Sequence, residues 1–307
     1  NSIGTDINPM AYFASKVKLD NYSINETNEI KNILNNFDKS KKWEFNEKPK
    51  VVESSFIEEK LESLQRIKGF IDSLSNIKAQ NILMLAYLSI IEDASIRVKD
   101  GNGLKLKKNK KQIENIYDYF LSKCNQMLHD IATTTYSNKT NHLVYNSSIL
   151  IDKTLESLTD KKVGISIFSP PYANCFDYCE VYKLEFWLGG FVDSYKGFAK
   201  YRSIAMRSHV NSKFNHTIQN NIPDVDSIAN LISTYNIWNK NIPDMLRGYF
   251  DDMFEILQRQ ATLLVTGYKV NNIFYARKIR ASGQQTIDLH LNYDKLMRES
   301  IIELELL

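Results

Sequence analysis

The chain has 307 residues, of which 43% are hydrophobic and 24% charged, and its formal net charge is +3. This composition is that of an ordinary globular protein, long enough for one large core or two smaller ones, and the charge is too small to indicate nucleic-acid binding by itself. No apolar run approaches the roughly 18 residues that a membrane span needs, and no signal peptide opens the sequence, so we expect a cytoplasmic protein without membrane contact.

The three cysteines Cys124, Cys175 and Cys179 lack the paired spacing of a zinc site. We therefore expect free, buried thiols in a reducing compartment, and no metal site.

Residues 1–21 predict the end of a strand followed by a helix, with Asp6 at the strand tip. Asn8 has the side chain of a helix N-cap, and Pro9 suits the first helical position. In nucleotide-binding α/β folds, an acidic residue after the second strand accepts hydrogen bonds from ribose hydroxyls. Asp6 is the candidate for that role, although an ordinary strand-to-helix turn explains it equally well by itself.

Residues 22–140 predict helices, because apolar residues recur at helical spacing through four successive stretches. The third of these covers residues 77–98. We interpret the whole segment as a helical insertion between the second and third strands of a sheet, with its apolar stripes in the core.

A loop at 100–104 interrupts this helical segment and leads into a run of lysines. Lys105, Lys107 and Lys108 belong to this run. A solvated surface explains such a run well, and the functional alternative is contact with DNA phosphates.

Residues 141–190 predict the third strand at 141–151, a short helix at 152–158 and a buried central strand at 163–168. That strand ends at Ser169-Pro170-Pro171-Tyr172. Consecutive prolines have no backbone N–H, so the carbonyl of Pro170 can remain an uncommitted acceptor beside the Ser169 hydroxyl. With the Tyr172 ring, these two acceptors suit an amino group on a planar heterocycle.

Past the turn, residues 178–191 predict a helix that Gly189 and Gly190 close. Residues 191–240 lose periodicity and mix basic with aromatic side chains, which favours a segment that recognises DNA over a plain polar loop. Residues 241–307 predict a helix at 243–259, a buried strand at 261–267 and a tail without a clear pattern.

The Ser169-Pro170-Pro171-Tyr172 stretch resembles motif IV of the amino-group DNA methyltransferases, in which Ser in the first position is typical of cytosine-N4 enzymes. The stretch 4–9, Gly-Thr-Asp-Ile-Asn-Pro, resembles motif II of the same family, which binds the ribose of S-adenosylmethionine. The resemblance implies an α/β fold with a Rossmann-like class I methyltransferase sheet. It also implies that the family's glycine loop precedes residue 1, because the internal Gly101-Asn102-Gly103 does not follow a buried strand.

The resemblance assigns further roles, grouped here by ligand. The catalytic residues are Ser169, Pro170, Pro171 and Tyr172. Cofactor contacts are Asp6, Asn8, Pro9, Asn146 and Ser148, where the last two stand in the place of the family's usual carboxylate. DNA contacts are Asn174, Asp177, Tyr178, Arg202, Arg207, Lys105, Lys107 and Lys108.

The expected function is therefore methyl transfer from S-adenosylmethionine to cytosine N4 in double-stranded DNA with the target base extruded, within a restriction-modification system that includes a restriction endonuclease. Three alternatives stay open: adenine-N6 methylation on the same scaffold, a non-catalytic DNA-binding module or subunit, and methylation of RNA or of a protein amide.

Overall fold

The computed structural model describes residues 1–100, 103–134, 141–173, 177–212 and 218–264, together with three short strands beyond them. The strands in these ranges are β1 (Ser2–Thr5), β2 (Arg97–Asp100), β3 (Gly103–Leu106), β4 (His142–Tyr145), β5 (Ser166–Phe168), β6 (Val270–Asn272), β7 (Ile279–Arg280) and β8 (Thr286–Ile287). The helices there are α1 (Pro9–Leu19), α2 (Ile24–Asn35), α3 (Lys50–Glu53), α4 (Glu58–Asp72), α5 (Ile77–Ala94), α6 (Ile116–Thr133), α7 (Asp152–Glu156), α8 (Tyr178–Val181), α9 (Lys183–Leu188), α10 (Tyr195–Ile204), α11 (Pro223–Ser233) and α12 (Ile242–Leu263). The protein is therefore an α/β protein in which helices predominate.

The chain divides into two compact units. Unit 1 comprises Asn1–Asn146 and Tyr178–Tyr201, and unit 2 comprises Ser147–Asp177 and Arg202–Leu307. The predicted helical segment 22–140 therefore lies in the same unit as β1 and β4.

Unit 1 has a helical core centred on α5, whose buried face is almost continuous. Ile82, Leu83, Leu88 and Ile90 on α5 are each at most 5% exposed, and they pack in one cluster with side chains of α4, α6 and α9. Asn76 caps α5 by accepting a hydrogen bond from the Ala79 amide. This apolar helix places α9 and the β2–β3 hairpin on a rigid support.

The predicted helix at 77–98 is wrong at its C-terminal end. The helix ends at Ala94, Ser95 is extended, and strands β2 and β3 pair in an antiparallel hairpin in which Asp100 lies opposite Gly103. Gly103 has a φ of +141°, which glycine adopts without steric cost. Backbone hydrogen bonds join β2 and β3 where the sequence analysis expected the end of a helix and a loop.

Strands β1 and β4 pair in parallel, with Ser2 opposite His142 and Thr5 opposite Tyr145. The predicted third strand is thus confirmed over His142–Tyr145, which is shorter than 141–151. Its pairing with β1 joins the two ends of the helical segment side by side. Parallel neighbours need such a long crossover connection.

Unit 2 has a smaller core between α11 and α12. Val225 and Ile232 of α11 pack with Ile242, Met245 and Tyr249 of α12, and all five are buried. Helix α11 begins with Pro223 in its first turn and carries Asp224 and Asp226 there, where carboxylates favour the positive end of the helix dipole.

The expectation of an irregular segment at 191–240 is wrong, because α10 and α11 both lie in it. Helix α10 carries Phe198, which is 4% exposed, and the Gly197 amide donates to the Ser194 hydroxyl at 3.2 Å. The spacing of Val225, Ala229 and Ile232 gives α11 a buried stripe.

Strands β5 and β6 form a second parallel pair, which Val163 extends by bridging to Leu264. Two predictions made here are wrong. The strand predicted at 261–267 is wrong over its first residues, because α12 continues to Leu263; residues 265–267 lie outside the described residues, and β6 is Val270–Asn272. The central strand is also not buried, since Ile165 and Ile167 are 59% and 71% exposed.

Candidate functional site

The turn after β5 presents the two acceptors predicted from sequence. Ser169 is exposed and Pro170 is buried. Within the described residues, neither the Ser169 hydroxyl nor the Pro170 carbonyl forms a hydrogen bond. Tyr172 is half-buried beside them. Two free acceptors and an aromatic ring therefore lie within four residues, in a turn whose prolines restrict its backbone.

Tyr249 of α12 holds this turn through a hydrogen bond, and the sequence analysis did not identify this residue. Its hydroxyl donates to the carbonyl of Pro171 at 2.9 Å, and Tyr249 is only 1% exposed. Phe168 and Ala173, on either side of the turn, pack against the same α11–α12 core. The bond occupies the second proline's carbonyl and leaves that of the first free.

Asp177 lies just beyond the turn and is buried, at 9% exposure. It accepts a hydrogen bond from Arg202 Nε at 2.7 Å, and His209 Nδ1 lies 4.0 Å from the same carboxylate oxygen. Both partners belong to the stretch predicted to recognise DNA. The structure therefore brings Asp177 and Arg202 together as an ion pair.

Arg207 is an internal ion-pair partner. It is 6% exposed, and its guanidinium donates to Asp251 at 2.8 Å and to Asp252 at 2.6 and 3.0 Å. A Cβ at Gly248 would lie 2.8 Å from Arg207 Cδ, so α12 needs a glycine there to admit the side chain.

Arg207, Asp251 and Asp252 form a charged cluster, and its contacts shift the pKa values of Arg207 and Asp251. Burial raises the pKa of the Asp251 carboxyl, but hydrogen bonds from Arg207, Asn220 and the Gln219 amide outweigh burial and leave the pKa below its ordinary value. Burial alone would lower the pKa of Arg207, and the bonds to Asp252 and Asp251 raise it instead. Arg207 and Asp251 therefore form a charged ion pair.

A cleft of about 350 Å³ borders this cluster in unit 2. Its three arginines, Arg202, Arg207 and Arg259, each bond a carboxylate, and Arg259 holds both Glu255 and Asp152. The cleft is polar and balanced in charge, so a bound phosphate would have to displace carboxylates from these arginines.

The residues predicted to contact the cofactor's ribose lie together in unit 1. The Asn8 amide donates to Asp6 Oδ1 at 2.7 Å, and the Asn8 side chain caps α1 by accepting from the amides of Met10 and Ala11. Asn146 donates to the carbonyls of Asp6 and Ile7 at 3.0 and 3.3 Å. Pro9 occupies the first turn of α1, as predicted.

Asp6 remains available as an acceptor. Its residue is exposed, yet local desolvation raises the pKa of the carboxyl, and the hydrogen bond from the Asn8 amide offsets part of this rise. Its second oxygen forms no hydrogen bond within the described part of the chain. Ser148, the remaining predicted cofactor contact, lies in unit 2, where its hydroxyl accepts from the Leu150 amide.

The predicted DNA contacts in unit 1 are on its surface. Lys107 and Lys108 are exposed after β3, and Lys105, which is 62% exposed, pairs with Asp100 across the hairpin at 2.6 Å. Tyr178 is 40% exposed at the start of α8. Asn174 lies outside the described residues.

Lys99 fixes the hairpin that carries these lysines to α9. Its ammonium bonds the Glu185 carboxylate, lies 3.6 Å from Glu92 and stands 4.6 Å over the Tyr182 ring. Burial raises the pKa of Glu185, and Lys99 only partly offsets this. The pair therefore holds the lysine surface at a defined place in unit 1.

Cys124 and Cys179 are buried, as predicted, and burial raises the pKa of the Cys124 thiol, whereas Cys175 lies outside the described residues. Over the described ranges, no group of three or more His, Cys, Asp or Glu side chains could hold a metal ion. None of the helices described for this chain combines the length and hydropathy that a membrane crossing requires.

Comparison with known proteins adds no relative. No protein-family model, no curated protein and no solved structure matches this chain. Asp6 and its partners Asn8 and Asn146 are called the Asp6 cluster below. We infer the function from the turn after β5, from this cluster and from the surfaces around them.

Proposed function

We propose that this chain acts as an amino-directed DNA methyltransferase with cytosine N4 as its target. The observation that carries the proposal is the turn at Ser169-Pro170-Pro171-Tyr172, which follows a parallel strand and has two acceptors that no described residue bonds, next to the aromatic Tyr172. In open α/β sheets, ligands bind at the carboxyl ends of parallel strands. The turn has the position and the hydrogen-bonding groups that such a site needs.

Two separate two-stranded parallel sheets, one in each unit, support the proposal of a Rossmann-like fold. A doubly wound sheet has the strand order 3-2-1-4-5, in which the second strand neighbours the third and the fourth neighbours the fifth. Strands β1 and β4 pair as the second and third would, and β5 and β6 pair as the fourth and fifth would. Both pairs are parallel, as that order requires.

The Asp6 cluster fits the ribose of S-adenosylmethionine. A carboxylate with one free oxygen at a strand end suits a diol, and Asn146 and Asn8 fix its backbone and its other oxygen. When bound, S-adenosylmethionine supplies a methyl group on a positively charged sulfur. Asp6 and Asn8 would bind and orient it.

The turn would act on the target amine. The cytosine must leave the duplex stack, which costs a few kcal/mol, and Tyr172 would stack on it. The Ser169 hydroxyl and Pro170 carbonyl would accept the two amino hydrogens. Because the nitrogen lone pair is delocalised into the ring, these bonds would turn it out of the ring plane and direct it at the methyl group.

The DNA contacts proposed here are fewer than those predicted from the sequence. In unit 1, Lys107, Lys108 and Tyr178 are accessible, and in unit 2, Arg202 keeps partial exposure. Arg207 is committed to Asp251 and Asp252, so we assign it a structural role. A restriction endonuclease in the same system remains part of the proposal on the resemblance alone.

The test is nucleoside mass spectrometry of DNA from a host that lacks its own DNA methylation and expresses the complete reading frame. N4-methylcytosine is expected, and Ser169→Ala should lower it about 100-fold, because its hydrogen bond strengthens as charge develops on the nitrogen. Tyr172→Phe, which keeps the ring, is the matched control and should retain most activity.

N6-methyladenine in place of N4-methylcytosine would keep the scaffold and overturn the choice of base. Unmodified DNA, with binding of a duplex by the purified chain, would favour the non-catalytic alternative. Equal methylation by wild type and by Ser169→Ala would refute the role of the turn.

A further inference from the structure

A second, smaller pocket lies in unit 1, and nothing in the methylation proposal uses it. It has a volume of about 150 Å³ and is lined by three aromatic rings, Trp43, Phe45 and Trp187. Trp43 and Phe45 pack edge to face with ring centroids 4.5 Å apart, and Trp187 is 1% exposed. The pocket is thus a preformed aromatic recess.

Carboxylates surround this recess. Glu44, Glu47 and Asp193 line it, and Glu44 pairs with Lys42 at 3.0 Å. Among the residues described, Glu47 and Asp193 have no cationic partner, and Asp193 accepts a hydrogen bond from the Ser194 hydroxyl. Two negative charges beside aromatic rings attract a cation, since the ring faces are themselves electron-rich.

The nearest internal cation already has partners. Lys68 Nζ lies 5.4 Å from the Trp43 ring centroid and bonds both oxygens of Asp72. It does not neutralise Glu47 or Asp193. The recess therefore keeps an uncompensated negative rim.

A third observation comes from the indole of Trp187. Its Nε1–H is buried and forms no hydrogen bond within the described residues. Buried polar groups nearly always have a partner, and one without a partner calls for an explanation. A ligand that brings an acceptor would satisfy it.

We propose that this pocket binds an arginine side chain of a partner polypeptide. A planar guanidinium stacks on aromatic rings and donates to carboxylates in a fork, which a lysine ammonium cannot do. Arginine has no acceptor of its own, so the peptide carbonyl beside it would accept from Trp187 Nε1. A free amino acid would bring its own carboxylate toward the acidic rim, which disfavours it.

The test uses the full chain with Trp238→Phe, because the sequence has three tryptophans and the other two line the pocket. Tryptophan fluorescence is titrated with the peptide acetyl-Gly-Arg-Gly-amide at low salt. We expect saturable binding near ~1 mM, as for a single side chain in a small site. The peptide with citrulline in place of arginine, which keeps the shape and loses the charge, should bind at least about tenfold more weakly.

The double variant Glu47→Gln and Asp193→Asn should weaken the arginine peptide about tenfold. The matched control, Glu114→Gln with Asp130→Asn, removes two exposed carboxylates outside the pocket and should bind as the parent does. Trp43→Phe keeps an aromatic ring and, with thermal unfolding as a check of folding, should change the emission while retaining binding.

Three results would overturn the proposal: no saturable change with the arginine peptide, equal binding of the citrulline peptide, or unchanged affinity of the double variant. Equal affinity for a lysine peptide would overturn the choice of arginine. DNA methylation by the same variants is expected to equal wild type, so this experiment succeeds or fails independently of the methylation proposal.

Discussion

Each unit of the molecule contains a buried ion pair, and the two pairs differ in how completely their carboxylates are satisfied. In unit 1, Glu185 is 1% exposed and has Lys99 as its partner, while its buried Oε2 bonds none of the described residues. In unit 2, Asp251 is 4% exposed and accepts from Arg207, Gln219 and Asn220.

This difference reverses the direction of the two pKa shifts. Burial raises the pKa of Glu185 above its ordinary value, whereas the hydrogen bonds to Asp251 hold its pKa below. Both carboxylates are buried, but the hydrogen bonds to Asp251 outweigh the effect of its burial, whereas the bond from Lys99 to Glu185 does not.

The two pairs also support different surfaces. Lys99 joins the β2–β3 hairpin, which leads to Lys107 and Lys108, to α9. Arg207 joins the loop before α11 to α12, and α12 carries Tyr249, which bonds the turn at Pro171. One pair therefore supports the proposed DNA surface and the other the proposed base site.

The largest expected effect follows the removal of Arg207. Arg207→Ala leaves Asp251 and Asp252 buried without their cation, which should lower the free energy of unfolding of unit 2 by about 3–5 kcal/mol. Chemical denaturation followed by the emission of Trp238, the tryptophan of unit 2, measures it. Arg207→Lys keeps the charge without the fork and should fall between wild type and Arg207→Ala. A loss below about 1 kcal/mol, the range of a surface pair, would show that the pair is solvated.

A smaller loss is expected at Lys99. In Lys99→Met, Glu185 loses its cation but can take up a proton, so the cost should be about 1–3 kcal/mol. Denaturation followed by Trp43 and Trp187 in a Trp238→Phe background reports on unit 1. Lys105→Ala removes an exposed pair of the same hairpin and should cost less than about 0.5 kcal/mol. Equal losses at Lys99 and Lys105 would contradict the anchoring role of Lys99.

The pH dependence should have opposite signs at the two carboxylates. Asp251, with a lowered pKa, stabilises the fold above its unfolded pKa of about 3.9, and that contribution is lost as the pH falls through the lower folded value. Glu185, with a raised pKa, favours the fold below about pH 4.3 and loses that contribution as the pH rises through its folded value. Asp251→Asn should thus lose most relative to wild type at neutral pH, and Glu185→Gln should gain most there.

Unfolding free energies of both variants, measured from acid to neutral pH, test this directly. For either variant, the difference in unfolding free energy from wild type can change by at most about 1.4 kcal/mol per pH unit, the value for one titrating group. If the stability difference from wild type changed with pH in the same direction for both variants, the two carboxylates would not differ in how well their hydrogen bonds compensate burial.

Short-range features of the fold could be predicted from the sequence, and long-range contacts could not. The Asn8 cap and Pro9 at the start of α1 were predicted because capping depends on neighbouring residues. The β2–β3 hairpin was missed although residues 100–103 are Asp-Gly-Asn-Gly, a typical hairpin turn sequence. There the apolar pattern of α5 was extended too far.

The exposure of β5 is a second feature that the sequence did not predict. An apolar run predicts a strand, but it does not determine which side of the strand other elements cover, and Ile165 and Ile167 are exposed. The bonds of Tyr249 to Pro171 and of Arg207 to Asp251 join residues 78 and 44 positions apart. In the sequence, Tyr249 looks like any core aromatic of an amphipathic helix, and Arg207 like a surface cation.

The smallest expected effect on stability, and the most informative one for function, is at Tyr249. Tyr249→Phe keeps the buried ring and removes its hydrogen bond to the Pro171 carbonyl, which should cost about 1 kcal/mol of unfolding free energy. Because the bond fixes the turn rather than touching the base, the variant should lower the single-turnover rate of methylation about tenfold and leave DNA affinity near wild type.

Tyr87→Phe is the matched control, since that buried hydroxyl donates to the Leu188 carbonyl in unit 1 at 3.3 Å. It should cost similar stability and leave the methylation rate unchanged. If both variants methylate equally fast, Tyr249 serves only the core, and the position of the turn does not depend on α12.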